Sequence, residues 1–95
     1  MDTKKAYEEK IDAQMERMEA QIDLLKAKAR KAQADTKVKL LEQVEALDEQ
    51  RAKADKRLKE LKASGQEAWR DLKAGLDVAM TELQTAVKKA VDQFE

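Results

Sequence analysis

The chain has 95 residues, 20 Lys+Arg against 20 Asp+Glu, and no Cys, His or Pro. Without His or Cys the usual nucleophile–base pairs and His-containing metal sites are excluded, as are disulfides. Zero net charge argues against a general binder of nucleic acid or anionic membrane.

Charged residues make up 42% and aromatics 3% of the chain. With abundant Ala, Leu, Glu, Lys and Gln, that balance marks long helices and coiled coils rather than a conventional globular core. The length suits one domain, residues 1–95. Met1 to Glu9 has no apolar h-region, so no signal peptide is expected. No apolar run approaches the ~20 residues of a membrane span. A cytoplasmic protein follows as the expectation.

From Tyr7 onward the apolar residues fall at Ile11, Met15, Met18, Ile22, Leu25, Ala29 and Ala32, with spacings of four and three. That is a heptad seam on one helical face. A second seam runs through Thr36, Leu40, Val44, Leu47, Arg51, Ala54, Leu58 and Leu61. Arg51 breaks its apolar rule; its stem is expected to pack and its head to reach water.

Lys62 to Trp69 carries the one clear stop-and-restart signal. Gly65 tolerates the left-handed conformation that ends a helix. Ser64 with Glu67 three residues on reads as a capping box for the next helix. The expected turn is 63–66. The third seam runs Trp69, Leu72, Leu76, Ala79 or Met80, Leu83, Val87, Ala90 or Val91, and Phe94. Leu72, Leu83 and Phe94 are eleven apart, which keeps a straighter seam than a heptad repeat.

The first two seams match antiparallel when residue numbers sum to 69, as in Ile11 with Leu58 and Ile22 with Leu47. Charge selects that register. Residues 8–23 are net −4, 26–39 net +5, 42–49 net −4 and 51–62 net +4. Folding about 34.5 lays minus on plus, with Glu19 near Arg51, Lys28 near Glu42 and Lys26 near Glu45. The third seam matches the second at a sum near 130. Expected layers are Ile11–Leu58–Leu72, Met15–Ala54–Leu76, Ile22–Leu47–Leu83, Leu25–Val44–Val87 and Ala32–Thr36–Phe94. Trp69 should close one end beside Leu61 and Tyr7.

Two arrangements make these layers. Lys31 to Val38 has neither Gly nor Pro, and helix propensity favours one unbroken helix from about 3 to 62, roughly 90 Å long at ~1.5 Å per residue. A second helix then runs from about 66 to 94, and an antiparallel coiled-coil homodimer completes the layers. The alternative is a monomeric three-helix bundle with an extra turn at 33–36, where Asp35 and Thr36 are candidate caps.

No residue is a catalytic, cofactor or metal candidate. Glu42, Glu45 and Glu49 line one stripe that could hold a hard cation; a solvated face paired with Lys26 and Lys28 is the favoured reading. Lys26, Lys28, Arg30, Lys31, Lys37 and Lys39 form a basic run without the interleaved aromatics that stack bases. The third segment is amphipathic and could lie on a lipid surface, but residues 64–95 are net −2, which opposes anionic bilayers.

The stretch Ser64 to Gly75, preceded by the Lys/Glu/Ala/Leu heptads, resembles small bacterial coiled-coil domain-containing proteins of unassigned function. The resemblance covers nearly the whole chain, implies a helical intracellular protein and transfers no functional residues. The eleven-residue spacing is also similar to apolipoprotein and desiccation-protein repeats. The large-apolar seam departs from the latter. The expected function is a non-enzymatic self-associating module or adaptor, with reversible lipid binding by an opened bundle as the alternative.

Overall fold

The computed structural model describes residues 2–94; Met1 and Glu95 lie outside the described residues. Three helices form one bundle: α1 (Thr3–Lys31), α2 (Ala34–Ala63) and α3 (Trp69–Gln93). The bundle measures 51 × 19 × 17 Å.

Helix α1 starts where Asp2 stands as N-cap, its carboxylate accepting from the Lys4 N–H at 3.0 Å. Lys28, Arg30 and Lys31 occupy its last turn and Asp35 the first turn of α2. Each charge complements the dipole of its own helix end. The chain reverses through two extended residues, Ala32 (ψ 155°) and Gln33 (ψ 158°). The Gln33 carbonyl then accepts the first α2 bond from Lys37 at 2.7 Å.

The unbroken helix over 3–62 is therefore corrected to two helices. The break also lies earlier than 33–36, because Asp35 and Thr36 are inside α2. Helix propensity favoured continuity, but propensity is a sum of small terms. Folding back covers the apolar face of α2 with that of α1, and such packing supplies most helix stability in proteins.

Across the bundle Arg51 meets Glu19 at 3.2 Å and Lys62 meets Asp12 at 2.9 Å. The start of α1 thus lies beside the end of α2. Tyr7 bonds Asp77, and Lys28 bonds the Phe94 carbonyl at 3.3 Å, so α3 runs alongside α1 in the same direction. The helices go up, down and up.

The second turn differs in detail from a left-handed glycine stop. Neither glycine has positive φ. Ser64 is the extended C-cap of α2, and its hydroxyl donates to the Leu61 carbonyl. The N-cap of α3 is Ala68, four residues farther on, and α3 has no side-chain cap bond. The Gly65 carbonyl instead accepts from the Trp69 N–H at 3.3 Å. Residues 66–68 form a turn that leads directly into α3.

Tyr7, Ile11, Met15, Met18, Ile22, Leu25 and Ala29 are buried on α1, and Leu40, Val44, Leu47, Ala54, Leu58 and Leu61 on α2. On α3 the buried residues are Trp69, Leu76, Met80, Leu83, Val87 and Ala90. Their spacings are heptad throughout, with Lys73 at the vacant position. Leu72 is 37% exposed, so the eleven-residue seam and the layer Ile11–Leu58–Leu72 are corrected. Phe94 is only half-buried, and Thr36 is exposed. The expected layer with Ala32 is therefore loose at that end.

Candidate interaction surface

At the closed end of the bundle the Tyr7 and Trp69 rings lie 5.8 Å apart. The Tyr7 hydroxyl donates to the Asp77 carboxylate, which also accepts from Lys73 at 2.9 Å. The Lys73 ammonium sits 5.2 Å over the Tyr7 ring. Burial, the bond to Asp77 and the Asp77 charge all raise the Tyr7 pKa, so the phenol stays neutral. Burial acts to raise the Asp77 carboxyl. Hydrogen bonds from Tyr7 and Lys73, with the charges of Lys73 and Lys10, outweigh it and hold the carboxyl below its usual value.

This knot was not expected from the seams. Its only sequence signal is Lys73 four residues before Asp77, an ordinary helix-surface pair. The knot satisfies its own polar groups, and its chemistry is that of a structural clasp. Among the described residues no group of three or more acidic, His or Cys side chains is placed to hold a metal ion. No helix among the described residues is long and apolar enough to cross a membrane.

The opposite half of the molecule is less closed. Between α1 and α3 a cleft of about 380 Å³ is lined by Gln21, Leu24, Leu25, Ala27, Lys28, Lys31 and Val91. It continues through Lys28 and Lys31 into a second hollow of about 410 Å³ that reaches Thr36, Leu40 and Phe94. Leu24 is 65% exposed. A large aliphatic side chain standing open beside a cleft is what a partner would cover.

Charge on this side is segregated. Lys10, Arg17, Leu24 and Lys31 recur every seven residues along α1, and so share one stripe. The facing stripe of α3 repeats Arg70, Asp77, Gln84 and Val91, with Lys88 one turn before Val91. Asp77 is the sole acid of the two stripes, and it is held by Tyr7 and Lys73. The groove is basic with an apolar floor.

The first half of the outer face of α2 is acidic, and Lys53, Lys56 and Lys59 follow on its second half. Val38, Glu42, Glu45 and Glu49 are exposed at spacings of four, three and four. These carboxylates were expected to pair with Lys26 and Lys28, and they do not. Lys26 pairs with Asp48 at 3.2 Å, and Lys28 reaches the Phe94 carbonyl. The register explains the difference: cross-helix pairs centre on sums of 70–74 rather than 69, which brings Asp48 to Lys26. Glu42, Glu45 and Glu49 take part in no ion pair among the described residues.

No family model, curated protein or solved structure matches this chain. Function is therefore argued from surface chemistry alone.

A third cleft, between α2 and α3, holds Gln50, Arg57, Gly75 and Val78. Gln50 Oε1 is buried there without a hydrogen-bond partner. The Arg57 guanidinium lies over Gly75, so close that a Cβ would stand 2.8 Å from it. This is a packing notch in which a long cationic side chain crosses a small residue.

Proposed function

We propose that the chain is a non-enzymatic helical module that acts by self-association or as an adaptor in the cytoplasm, with a homodimer as its smallest assembly. The observation that carries this reading is the open apolar cleft between α1 and α3, with Leu24 exposed beside it. Exposed Val38 and Leu41 on α2 add to it. Association would remove these side chains from water at about 25 cal/mol per Å² of apolar area. Antiparallel coiled-coil packing between copies is the expected contact geometry.

Light scattering on a sizing column at two concentrations tests this. A mass above 10.8 kDa that rises with concentration supports the proposal. A constant mass of 10.8 kDa rejects self-association.

A second reading, reversible lipid binding, draws on α3. Its buried side chains are all apolar, and no side chain caps its start. Release of α3 would expose Trp69, Leu76, Leu83 and Val87 as an interfacial face. Flotation with neutral and anionic vesicles tests it; protein left at the bottom of the gradient in both cases rejects it.

A further inference from the structure

We propose that copies of this chain associate head to tail, with the acidic patch Glu42, Glu45 and Glu49 on the outer face of α2 of one copy seated in the basic α1/α3 groove of the next. The inference rests on the self-association reading and names its two surfaces.

Three observations support it. The first is charge complementarity between two patches. Glu42, Glu45 and Glu49 form no ion pair among the described residues, and neither do Arg17, Lys28, Lys31 and Lys88. Other charges do pair across the bundle, as in Lys62–Asp12 and Arg51–Glu19. The two patches carry opposite signs, which favours contact between them.

The second is level. Lys26 meets Asp48 at 3.2 Å, which fixes the height of α2 against α1. From that rung Glu45 and Glu42 lie about one and two turns away. Lys28 and Lys31 lie in the same direction, at about half a turn and one and a half turns. A copy displaced sideways, without rotation, thus brings Glu42 and Glu45 opposite Lys31 and Lys28; the contact is confined to the half of the bundle beside the Ala32–Gln33 turn, because farther along α2 Lys53 and Lys56 come level with Arg17. Val38 then lies toward the hollow beside Phe94.

The third is position. In a bundle of three helices the outer face of one lies opposite the groove between the other two. The acidic face and the basic groove therefore point away from each other. They cannot be satisfied within one copy, and a pair that uses one of each leaves one of each free. Such a contact is heterologous and extends beyond a dimer. An anionic vesicle surface would meet the groove charges alone and would ignore the glutamates.

Two charge-reversed proteins test this: E42K/E45K on the face and K28E/K31E in the groove. Circular dichroism first checks that each retains wild-type helicity, which is expected because all four side chains are exposed. Light scattering then reads mass against concentration. Expected are a wild-type mass that grows past a dimer, weaker growth at high salt, and a loss of roughly tenfold or more in association affinity for each variant alone. A one-to-one mixture should regain association, because each variant supplies the surface the other lacks.

Wild-type protein fixed at 10.8 kDa overturns the self-association reading itself. Associating wild-type protein whose variants associate equally well overturns only the assignment of surfaces. Variants that weaken association but fail to rescue each other point to a self-complementary contact and overturn the head-to-tail arrangement. Groove-dependent flotation with phosphatidylserine vesicles, indifferent to E42K/E45K, assigns the groove to lipid and overturns the proposal.

Discussion

Trp69→Ala probes the closed end of the bundle. Trp69 is 4% exposed, stacks in tilted fashion 5.8 Å from Tyr7 and carries the Arg70 guanidinium 5.9 Å from its ring centroid. It also stands at the first position of α3, directly after the turn that joins α3 to α2. Truncation to Ala should cost ~3–5 kcal/mol, because the removed ring leaves a hole that Tyr7 cannot fill while Asp77 holds its hydroxyl. The exposed cation–π contact adds at most about 1 kcal/mol of this. A domain of this size loses about 4–8 °C of melting temperature per kcal/mol. The expected fall is therefore on the order of 12–40 °C. Against a total stability of about 5–14 kcal/mol, that is a large share. Thermal unfolding followed at the helical circular dichroism signal measures it. Trp69→Phe keeps an aromatic ring and should lose less than half as much. A melting temperature for Trp69→Ala within about 2 °C of wild type would show that the ring does not pack between the helices, and the closed end would have to be redrawn.

Four further substitutions separate the observed arrangement from its competitors. Leu76→Ala, at a fully buried position, should cost ~2–5 kcal/mol, and Leu72→Ala, at a position 37% exposed, less than about 1 kcal/mol; equal losses in urea unfolding would restore the eleven-residue seam. Gln33→Ser should raise stability by about 1 kcal/mol, because Gln33 is an N-cap without a side-chain cap bond. In an unbroken helix the same change would lower stability, so the sign of the shift decides. Gly75→Ala should raise the melting temperature by a few degrees, since Ala gains about 1 kcal/mol of helix propensity over Gly and the Arg57 tip can swing away; a fall would show that Arg57 is fixed there.

Asp77 and Tyr7 also predict pH dependence in opposite ranges. The Asp77 carboxyl is held below its ordinary 3.8 in the folded protein. Its contribution is present above that value and is lost as pH falls through the folded pKa. Asp77→Asn should remove this part of the acid sensitivity. Tyr7 is raised above its ordinary 10.0 in the folded state, so its contribution is full below pH 10.0 and is lost as pH rises beyond it. Tyr7→Phe should lack that alkaline loss, and equal alkaline curves for the two proteins would contradict the buried phenol.

Most of the buried faces were legible because heptad spacing reports which side of a helix is apolar, whatever the helix packs against. That is why Ile11, Ile22, Leu47, Leu58 and Leu83 could be read as core without any knowledge of topology. The placement of Lys73 was not legible. A lysine at a seam position looks like an interruption, and the eye moves to Leu72 beside it. In the structure Lys73 keeps the position because its ammonium finds the Tyr7 ring and Asp77. The pair Glu19–Arg51 followed from charge blocks, but Lys26 with Glu45 did not. Charge blocks set direction, while individual partners shift by a turn at little cost in surface ion pairs worth ~0–1 kcal/mol.

The turn at Ala32–Gln33 shows the same limit at larger scale. No residue there demands a break; the residues only permit one. What fixes it is the packing it permits, in which α1 and α3 together cover the apolar face of α2. A two-residue connection holds the helices in up, down, up order, and this has a consequence for function. Folding at Ala32–Gln33 sends the basic run Lys28 to Lys31 to the groove beside α3, while Glu42 and Glu45 go to the outside of α2. The reversal leaves both sets exposed on opposite sides. Zero net charge for the whole chain thus conceals an acidic patch at Glu42, Glu45 and Glu49 and a basic groove beside α3, and the proposed self-association draws on both as well as on exposed Leu24.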